Sequence, residues 1–342
     1  MDIELSKEFE IAGRRVGINE PCYIIAEAGV AHFGNYDKAL RLVDLAIESE
    51  ADSVKFQVFD IDAMIADSAS DWKERLASRC LPYSDFERLK KYCDDQGITF
   101  LATAHDEPSL DFLSDLDVPA YKIGSGELRN WPYLKKTAGY GKPVIFSTGM
   151  YTSNEVQMAL DVMTQTGNKD ISVLHCVTSY PTPPNDINLR VMDLYRERFG
   201  GIIGFSDHTE GFHIPLAAVA RGAKVIEKHI SLDFNVPNAQ DWKVSCGPHD
   251  LARFIRELRD IEVALGHASK HPSEMEKENM GWARKSLVAR RALKAGERLS
   301  EDMLTSKRPG NGISPDQIDK VLGKVTNRDL PVDSVIQWED LV

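Results

Sequence analysis

Eight short apolar runs recur along this chain, and nearly every one ends in a residue that can take part in chemistry. Amphipathic segments with helical spacing separate these runs, and such strand–helix alternation is typical of a parallel sheet. The runs are almost continuously apolar, as strands buried on both faces are. Eight such units with polar ends predict a closed (β/α)8 TIM barrel in preference to an open, doubly wound sheet. The predicted strands cover residues 23–28, 53–58, 98–102, 119–123, 143–146, 171–176, 202–205 and 224–229.

The length of 342 residues exceeds the ~250–300 residues at which a single hydrophobic core usually stops growing. We therefore expect a large barrel domain over residues 1–266, in which residues 1–15 form a hairpin that plugs the bottom of the barrel. Residues 267–282 are polar and charged, which predicts a linker. Residues 283–342 alternate short apolar runs with turns, which predicts a small β-rich domain.

The net charge of −12 argues against nucleic acid and acidic membrane surfaces as partners. The five cysteines lack CxxC spacing, which is typical of reduced thiols and predicts a cytoplasmic protein. Two of them, Cys22 and Cys176, lie in apolar strands and are predicted to be core residues. No apolar stretch reaches the ~18 residues of a membrane span, and no signal peptide is expected.

His208 and His229 follow the seventh and eighth predicted strands, so a barrel would make them neighbours at its top face. Two imidazoles that converge there can bind a divalent metal. The alternative is that each is a hydrogen-bonded structural histidine. The other histidines are predicted to be surface or loop residues, apart from His32 and His175.

Lys55 and Lys122 each interrupt an apolar strand. A buried lysine is costly unless it is paired, so two of them directed at one site indicate an anionic ligand. The alternatives are a Schiff-base lysine or a lysine that extends to solvent at the barrel mouth. Small hydroxyl residues and glycines also follow the strands and could form a phosphate cradle; the hydroxyl residues are Ser125, Ser147 and Ser206.

Several strings, in this order, resemble the sialic acid (nonulosonic acid) synthase family: IIAEAG, SVKFQ, YKIGSGE, STGM, GFSDHT, GAKVIEKH and KRPGNGI. The resemblance implies a TIM barrel followed by an antifreeze-like SAF domain. It implies condensation of phosphoenolpyruvate with an N-acylated amino sugar such as N-acetylmannosamine. It also implies a divalent metal, Mn²⁺ foremost with Mg²⁺ or Co²⁺ as alternatives, and a domain-swapped homodimer.

The resemblance assigns roles to individual positions of this chain. Metal ligation would fall to His208 and His229. Phosphoenolpyruvate binding would fall to Lys55, Thr103, Lys122, Ser125, Ser147, Thr178 and Ser206. Sugar binding would fall to Gln57, Tyr180, Asp241 and Arg308, the last of these contributed by the partner chain. The catalytic or site-organising carboxylates would be Glu27, Glu127 and Glu227.

The departures from the family pattern, at Ala31, Thr178, Trp242 and the segment 59–83, fall on the sugar side. The sequence therefore leaves open whether the acceptor is N-acetylmannosamine, its 6-phosphate or a di-N-acyl dideoxy sugar. Three other functions stay open: a Schiff-base aldolase or lyase built on Lys122, a 3-deoxy-octulosonate- or heptulosonate-type synthase, and a carbohydrate- or ice-binding protein.

Overall fold

The computed structural model describes residues 3–237 and 239–342. The chain divides into two compact units, Met1–Gly266 and His267–Val342. Among the described residues, no helix is long and apolar enough to cross a membrane.

The first unit is a closed barrel of eight parallel strands, which confirms the predicted fold class. Neighbours in sequence are neighbours in the barrel, and the last strand pairs with the first to close it. The strands are β3 (Tyr23–Gly29), β4 (Ser53–Val58), β5 (Thr99–Ala104), β6 (Tyr121–Ile123), β7 (Val144–Ser147), β8 (Ile171–Cys176), β9 (Ile202–Asp207) and β10 (Val225–His229).

Helices follow the strands, and most of them pack apolar residues on the outside of the barrel. Local sequence starts some of them: the Asn35 side chain accepts a hydrogen bond from the Lys38 amide, and Thr152 and Glu155 form a capping box. The helices are α1 (Tyr36–Glu48), α2 (Ile61–Met64), α3 (Ser70–Ala77), α4 (Tyr83–Gln96), α5 (Glu107–Asp115), α6 (Trp131–Gly139), α7 (Ser153–Thr164), α8 (Pro184–Ile187), α9 (Val191–Phe199), α10 (His213–Ala220) and α11 (Leu251–Leu265).

An antiparallel hairpin, β1 (Glu8–Ile11) and β2 (Arg14–Gly17), precedes the barrel. Its apolar side chains Phe9, Ile11 and Val16 share one buried cluster with residues from six of the eight barrel strands and with Ala120, which directly precedes β6. The barrel members of this cluster are Tyr23, Ile25, Leu101, Ala120, Ile145, Leu174, Ile202 and Val225. This cluster, here called the barrel floor, fills the interior at the end where the strands begin.

The second unit has its own apolar core, which includes Leu287, Leu304 and Ile336. Its one regular strand pair is β11 (Ser286–Ala289) with β12 (Leu304–Lys307), and single bridges such as Val288 to Val335 extend the pairing. It also contains the helices α12 (Glu274–Ala283) and α13 (Ile318–Val321). The predicted linker is therefore in part helical, because Ser273 and Glu276 form a capping box that starts α12.

Candidate active site

A polar cavity of ≈ 150 Å³ lies at the ends of the barrel strands. It brings together all the predicted site residues except Glu127, Asp241 and Arg308. Side-chain alternation explains the clustering, since residues i and i+2 of a strand face the same side. Ile25, Ala120 and Val225 belong to the barrel floor, and Glu27, Lys122 and Glu227 come two residues later.

Two lysines and two glutamates form a buried charge network in this cavity. The Lys55 ammonium lies 2.6 Å from Oε2 of Glu27 and 3.6 Å from Oε2 of Glu227. The Lys122 ammonium lies 3.6 Å from Oε1 of Glu227. All four residues are almost fully buried. Each buried charge therefore has an opposite charge nearby, which offsets much of the cost of removing it from water.

The two carboxylates of the network differ in proton affinity. Burial raises the pKa of Glu27, and the negative charge of the neighbouring Glu227 raises it further. The Lys55 ammonium opposes this shift. Burial alone would also raise the pKa of Glu227, but Lys122 and Lys55 hold it well below its usual range. Two adjacent carboxylates with opposite pKa shifts can divide acid–base roles. Glu27 can exchange a proton, whereas Glu227 stays charged.

Hydroxyl groups surround the two lysines. Lys55 Nζ donates to the Thr103 hydroxyl at 3.0 Å, and Lys122 Nζ donates to the Ser147 hydroxyl at 2.8 Å. The Ser206 hydroxyl donates to Oε1 of Glu227 at 2.8 Å. Two ammonium groups, small hydroxyls and glycine backbone are the chemical groups that bind phosphate and carboxylate.

Gly149 lets three strand ends approach one another. Its amide donates to the Ser125 hydroxyl at 2.8 Å. A Cβ atom at this position would lie 2.2 Å from the Thr178 hydroxyl and 2.7 Å from the Ser125 hydroxyl. The STG string therefore contains a glycine because no side chain fits between Ser125 and Thr178.

His208 and His229 meet at the cavity, with ring centroids 5.3 Å apart. His208 Nδ1 is 2.7 Å from the Val177 carbonyl oxygen, so this nitrogen carries a hydrogen atom and donates a hydrogen bond to that oxygen. His208 Nε2 is 3.0 Å from the Tyr180 hydroxyl. Burial lowers the pKa of His229 to about 3, which keeps that ring neutral. Burial disfavours a charged His208 as well, but the Cys176 sulfur and the Val177 carbonyl raise its pKa to about 9.

This pair could supply two ligands to one divalent ion. The contact between His208 Nδ1 and a backbone carbonyl is the outer contact that usually orients a metal-bound imidazole. An ion at His208 Nε2 would replace the contact of that nitrogen with the Tyr180 hydroxyl. Within residues 3–237 and 239–342, no group of three or more His, Cys, Asp or Glu side chains is placed to hold a metal. An ion held here would therefore take its remaining ligands from water or substrate oxygens.

A buried ion pair holds the strands that carry the two histidines. Lys228 Nζ lies 2.6 Å from Oδ2 of Asp207, and both side chains are fully enclosed. Lys228 also donates to the Thr209 carbonyl at 2.8 Å, and Asp207 accepts from the Thr209 amide and hydroxyl. Lys228 and Asp207 are paired in the ladder between β10 and β9, so their contact joins the strands one residue before each histidine.

Three predicted site residues lie outside the cavity wall. Glu127 is half-buried on the turn after β6, where it accepts a hydrogen bond from the Asn130 side chain at 2.7 Å. Asp241 borders a separate cavity of ≈ 160 Å³ with Trp72 and Arg75 of α3. Arg308 belongs to the second unit, where its guanidinium lies 5.5 Å from the Trp282 ring centroid.

The cavity also contains residues that the sequence analysis did not select. His105, expected at the surface or in a loop, and Cys176, expected in the core, both line it, as do Gly124 and Gly126. These residues could have been found from the two-residue period with which side chains along a strand point to the same side. Because Leu101 of the floor points into the barrel, alternation predicts that Thr103 and His105 also point inward. In the same way, Leu174 predicts that Cys176 points inward.

A larger cavity of ≈ 790 Å³ lies beside the starts of β3, β4 and β10. Its charged groups already contact one another: Arg259 bonds Asp52 at 3.1 Å and Glu262 at 2.8 Å. TIM-barrel enzymes place their chemistry at the opposite, carboxyl ends of the strands. We therefore assign the active site to the smaller cavity.

A TIM barrel with two lysines, two glutamates and three histidines lining a cavity at its strand ends has the architecture of an enzyme for a small anionic substrate. The chain belongs to the NeuB family, whose model matches residues 42–270, and residues 284–342 match the SAF domain. The resemblance seen in the sequence is therefore confirmed.

Named relatives extend over nearly the whole chain. The N,N'-diacetyllegionaminic acid synthase of Campylobacter jejuni is 40% identical over 92% of this chain and 98% of its own. The human N-acetylneuraminate-9-phosphate synthase is 37% identical over 91% of this chain and 90% of its own. The crystal structure of an N-acetylneuraminic acid synthetase from Leptospira borgpetersenii, in complex with citrate, has a TM-score of 0.75 and 32% identity. It covers 81% of this chain and 96% of that one.

Proposed function

We propose that this protein condenses phosphoenolpyruvate with an N-acylated amino sugar to give a nonulosonic acid and inorganic phosphate. The observation that supports this most is the buried network of Lys55, Lys122, Glu27 and Glu227 at the mouth of a NeuB-family barrel. The reaction needs a site that holds a small, strongly anionic substrate and also moves a proton. This network offers both cations and a carboxylate of raised pKa.

The phosphoenolpyruvate half of the site is built around the lysines. Lys55 and Lys122 bind the phosphate and carboxylate groups as charge-assisted donors. The hydroxyl residues that complete the half-site are Thr103, Ser125, Ser147, Thr178 and Ser206. Each of these residues lines the cavity with the lysines. When the substrate binds, its anionic groups accept hydrogen bonds from the hydroxyls and lysines in place of water and of the hydrogen bonds that these side chains make with one another.

His208 and His229 would hold a divalent ion, Mn²⁺ foremost with Mg²⁺ or Co²⁺ as alternatives. Such an ion, when bound, supplies Lewis acidity toward the aldehyde oxygen of the open-chain sugar. Tyr180 lies against both rings, with centroid distances of 4.1 Å to His208 and 5.8 Å to His229. It therefore fixes the ring orientations from the sugar side.

The bond changes follow from the substrates. C3 of phosphoenolpyruvate attacks the aldehyde carbon, and the aldehyde oxygen takes up a proton from the protonated Glu27 carboxyl, whose raised pKa favours that form. This leaves a cation at C2, to which water adds while Glu27 accepts a proton from that water. The C2–O bond to phosphate then breaks as the C2 hydroxyl gives its proton to the phosphate, and inorganic phosphate leaves with the bridging oxygen. The linear 2-keto acid finally closes to its ring form.

On the sugar side, Gln57 and Tyr180 line the cavity, and Asp241 stands on the loop after β10. We propose that these residues contact the acceptor, together with Arg308 of the partner subunit in a domain-swapped homodimer. Arg308 is exposed, and its planar guanidinium suits an acyl carbonyl. We place the reaction in the cytoplasm, where the Cys176 thiol in the cavity would stay reduced.

Phosphate release from phosphoenolpyruvate tests the proposal. The metal-loaded protein should be incubated with N-acetylmannosamine, its 6-phosphate and a di-N-acetyl dideoxy sugar in parallel, and the products weighed by mass spectrometry. Release that requires one of these sugars, with a product of the summed mass, supports it. Phosphoenolpyruvate labelled with heavy oxygen at the bridging position should deliver the label to phosphate. Label retained in the keto acid would contradict the C–O cleavage.

A Schiff-base aldolase is the second candidate, because burial lowers the pKa of Lys122 and so favours its nucleophilic neutral form. Borohydride separates the two chemistries. An aldolase intermediate on Lys122 would be reduced to a stable adduct detectable in the intact protein mass. The condensation proposed here leaves the protein mass unchanged after the same treatment.

A further inference from the structure

His105 occupies a place in the active-site cavity that no motif predicted. It follows β5, and its amide extends the strand ladder by donating to the Val58 carbonyl at 3.1 Å. Alternation along this strand directs Leu101, Thr103 and His105 to the barrel interior. Leu101 belongs to the floor, the Thr103 hydroxyl bonds Lys55, and His105 lines the cavity above them.

The surroundings of the His105 ring fix its position. The ring packs against Phe59, with centroids 6.3 Å apart at 63°. On another side it faces Gly124, where an added Cβ atom would lie 3.9 Å from His105 Cε1. This is an ordinary van der Waals distance, so the imidazole lies against the end of β6. The ring is positioned by packing, and its nitrogen atoms are left for other contacts.

One of those nitrogen atoms lacks a contact. Nε2 of His105 is buried and has no hydrogen-bond partner among the residues that the structure describes. A buried polar atom is usually paired, and an unpaired one at a functional site indicates a missing ligand or water. The ring is neutral, because burial and the charges of Lys55 and Lys122 lower its pKa to about 4. A neutral imidazole carries one N–H group and can donate it to an anion.

We infer that His105 is a substrate-binding residue, and that its imidazole N–H donates a hydrogen bond to the anionic group held by Lys55 and Lys122. This inference rests on the proposed function, in which that group belongs to phosphoenolpyruvate. It adds an uncharged donor to the two ammonium groups. The hydrogen bond to a charged acceptor is stronger than one between neutral groups.

Two substitutions separate this role from packing. His105→Phe keeps a planar ring against Phe59 and removes the donor, whereas His105→Gln keeps an N–H group near the position of Nε2. We expect His105→Phe to weaken phosphoenolpyruvate binding about 10- to 100-fold, as loss of a bond to a charged group does. His105→Gln should recover part of that loss, and kcat should change less than KM.

Isothermal titration of the metal-free protein with phosphoenolpyruvate, and separately with inorganic phosphate, measures the effect directly. Imidazole NMR of the wild-type protein gives a second measurement. The His105 signals, assigned by their absence in His105→Gln, should shift on addition of phosphoenolpyruvate. The signals of His32, which is also neutral and has a buried, unpartnered Nε2 but lies outside the cavity, should stay in place.

Three outcomes overturn the inference, and they differ in what else they affect. Equal phosphoenolpyruvate affinity in wild type and His105→Phe, or an unshifted His105 signal, would refute the role of His105 and leave the proposed function intact. A wild-type protein that binds neither phosphoenolpyruvate nor phosphate would refute both.

Discussion

The ammonium of Lys228 lies 2.6 Å from the carboxylate of Asp207, and neither side chain reaches solvent. Each residue directly precedes a cavity histidine: Asp207 precedes His208, and Lys228 precedes His229. Alternation places the ion pair on the opposite face of the strands from the cavity. The pair therefore fixes the strand ends that carry the two imidazoles without contacting a substrate.

Breaking this pair should destabilise the barrel strongly. Lys228→Met leaves the Asp207 carboxylate buried without its cation, which costs about 3–5 kcal/mol. Urea denaturation followed by circular dichroism measures the change. Lys91→Met, which breaks an exposed pair with Asp95 on α4, is the matched control and should have no measurable effect. Equal midpoints for the two variants would contradict the prediction, and Asp207→Leu combined with Lys228→Met should recover much of the loss.

The affinity for phosphoenolpyruvate should fall on the alkaline side. Lys122 is a cation below its pKa and neutral above it, and burial together with Lys55 lowers that pKa from the usual lysine value. The KM for phosphoenolpyruvate should therefore rise at a pH below the ~10.4 of a free lysine. Lys122→Met should have a high KM at neutral pH that no longer changes in this range. A wild-type KM that stays constant up to pH ~10 would show that Lys122 keeps its proton.

Gly149→Ala should impair substrate binding without unfolding the barrel. The added methyl group would lie 2.2 Å from the Thr178 hydroxyl and 2.7 Å from the Ser125 hydroxyl, so these two side chains must shift. A displacement of this kind at a binding site can raise KM by about 10- to 100-fold. Gly126→Ala is the control, because Gly126 also lines the cavity but its Cβ would meet nothing within 4 Å. Similar KM values for both variants would contradict the close packing at Gly149.

Activity should depend on a divalent ion. Protein treated with a chelator should lose activity and regain it with Mn²⁺. His229→Ala should lower the rate by about 100-fold or more, since Lewis-acid stabilisation amounts to several kcal/mol. It should also remove Mn²⁺ binding measured by electron paramagnetic resonance. His271→Ala, which changes an exposed histidine of the second unit, should leave both properties unchanged. Full activity of the chelated protein would remove the ion from the mechanism.

Complementation should reveal the domain swap. Arg308→Ala and His229→Ala proteins should each be nearly inactive as homodimers. Their heterodimer would contain one site with both defects and one with neither, so co-expression should restore part of the activity. If Arg308 acts within its own chain, every site of the heterodimer carries one defect and no activity returns. A fully active monomer in sedimentation would also contradict the swap.

The barrel was predictable because its signals are local and repeated. Eight apolar runs, each followed by polar residues and an amphipathic segment, allow few other folds. The same regularity predicted that Lys55, Lys122 and Glu227 would converge, since inward positions of neighbouring strands face one interior.

Other features depend on contacts that no short sequence window contains. The turn after β6 brings Glu127 to Asn130 and away from the cavity wall, and nothing in YKIGSGE distinguishes that orientation. His105 was missed because its string, TAHDEPS, resembles an ordinary polar loop. Only the position of Leu101 in the floor shows that the alternation continues to His105. The helix α12 was not predicted because its segment is polar and charged, which is typical of a linker. The same segment contains the capping box that starts the helix.

The floor described above closes one end of the barrel with Phe9, Ile11 and Val16 of the hairpin. Substrates and products must then share the single opening at the other end. The lysines sit directly above the floor, whereas Tyr180 and Asp241 belong to loops at the rim. Under the proposed function, an acceptor sugar bound first would block the route to the lysines. Phosphoenolpyruvate should therefore bind first, and phosphate should be released only after the new sugar acid has left through this opening.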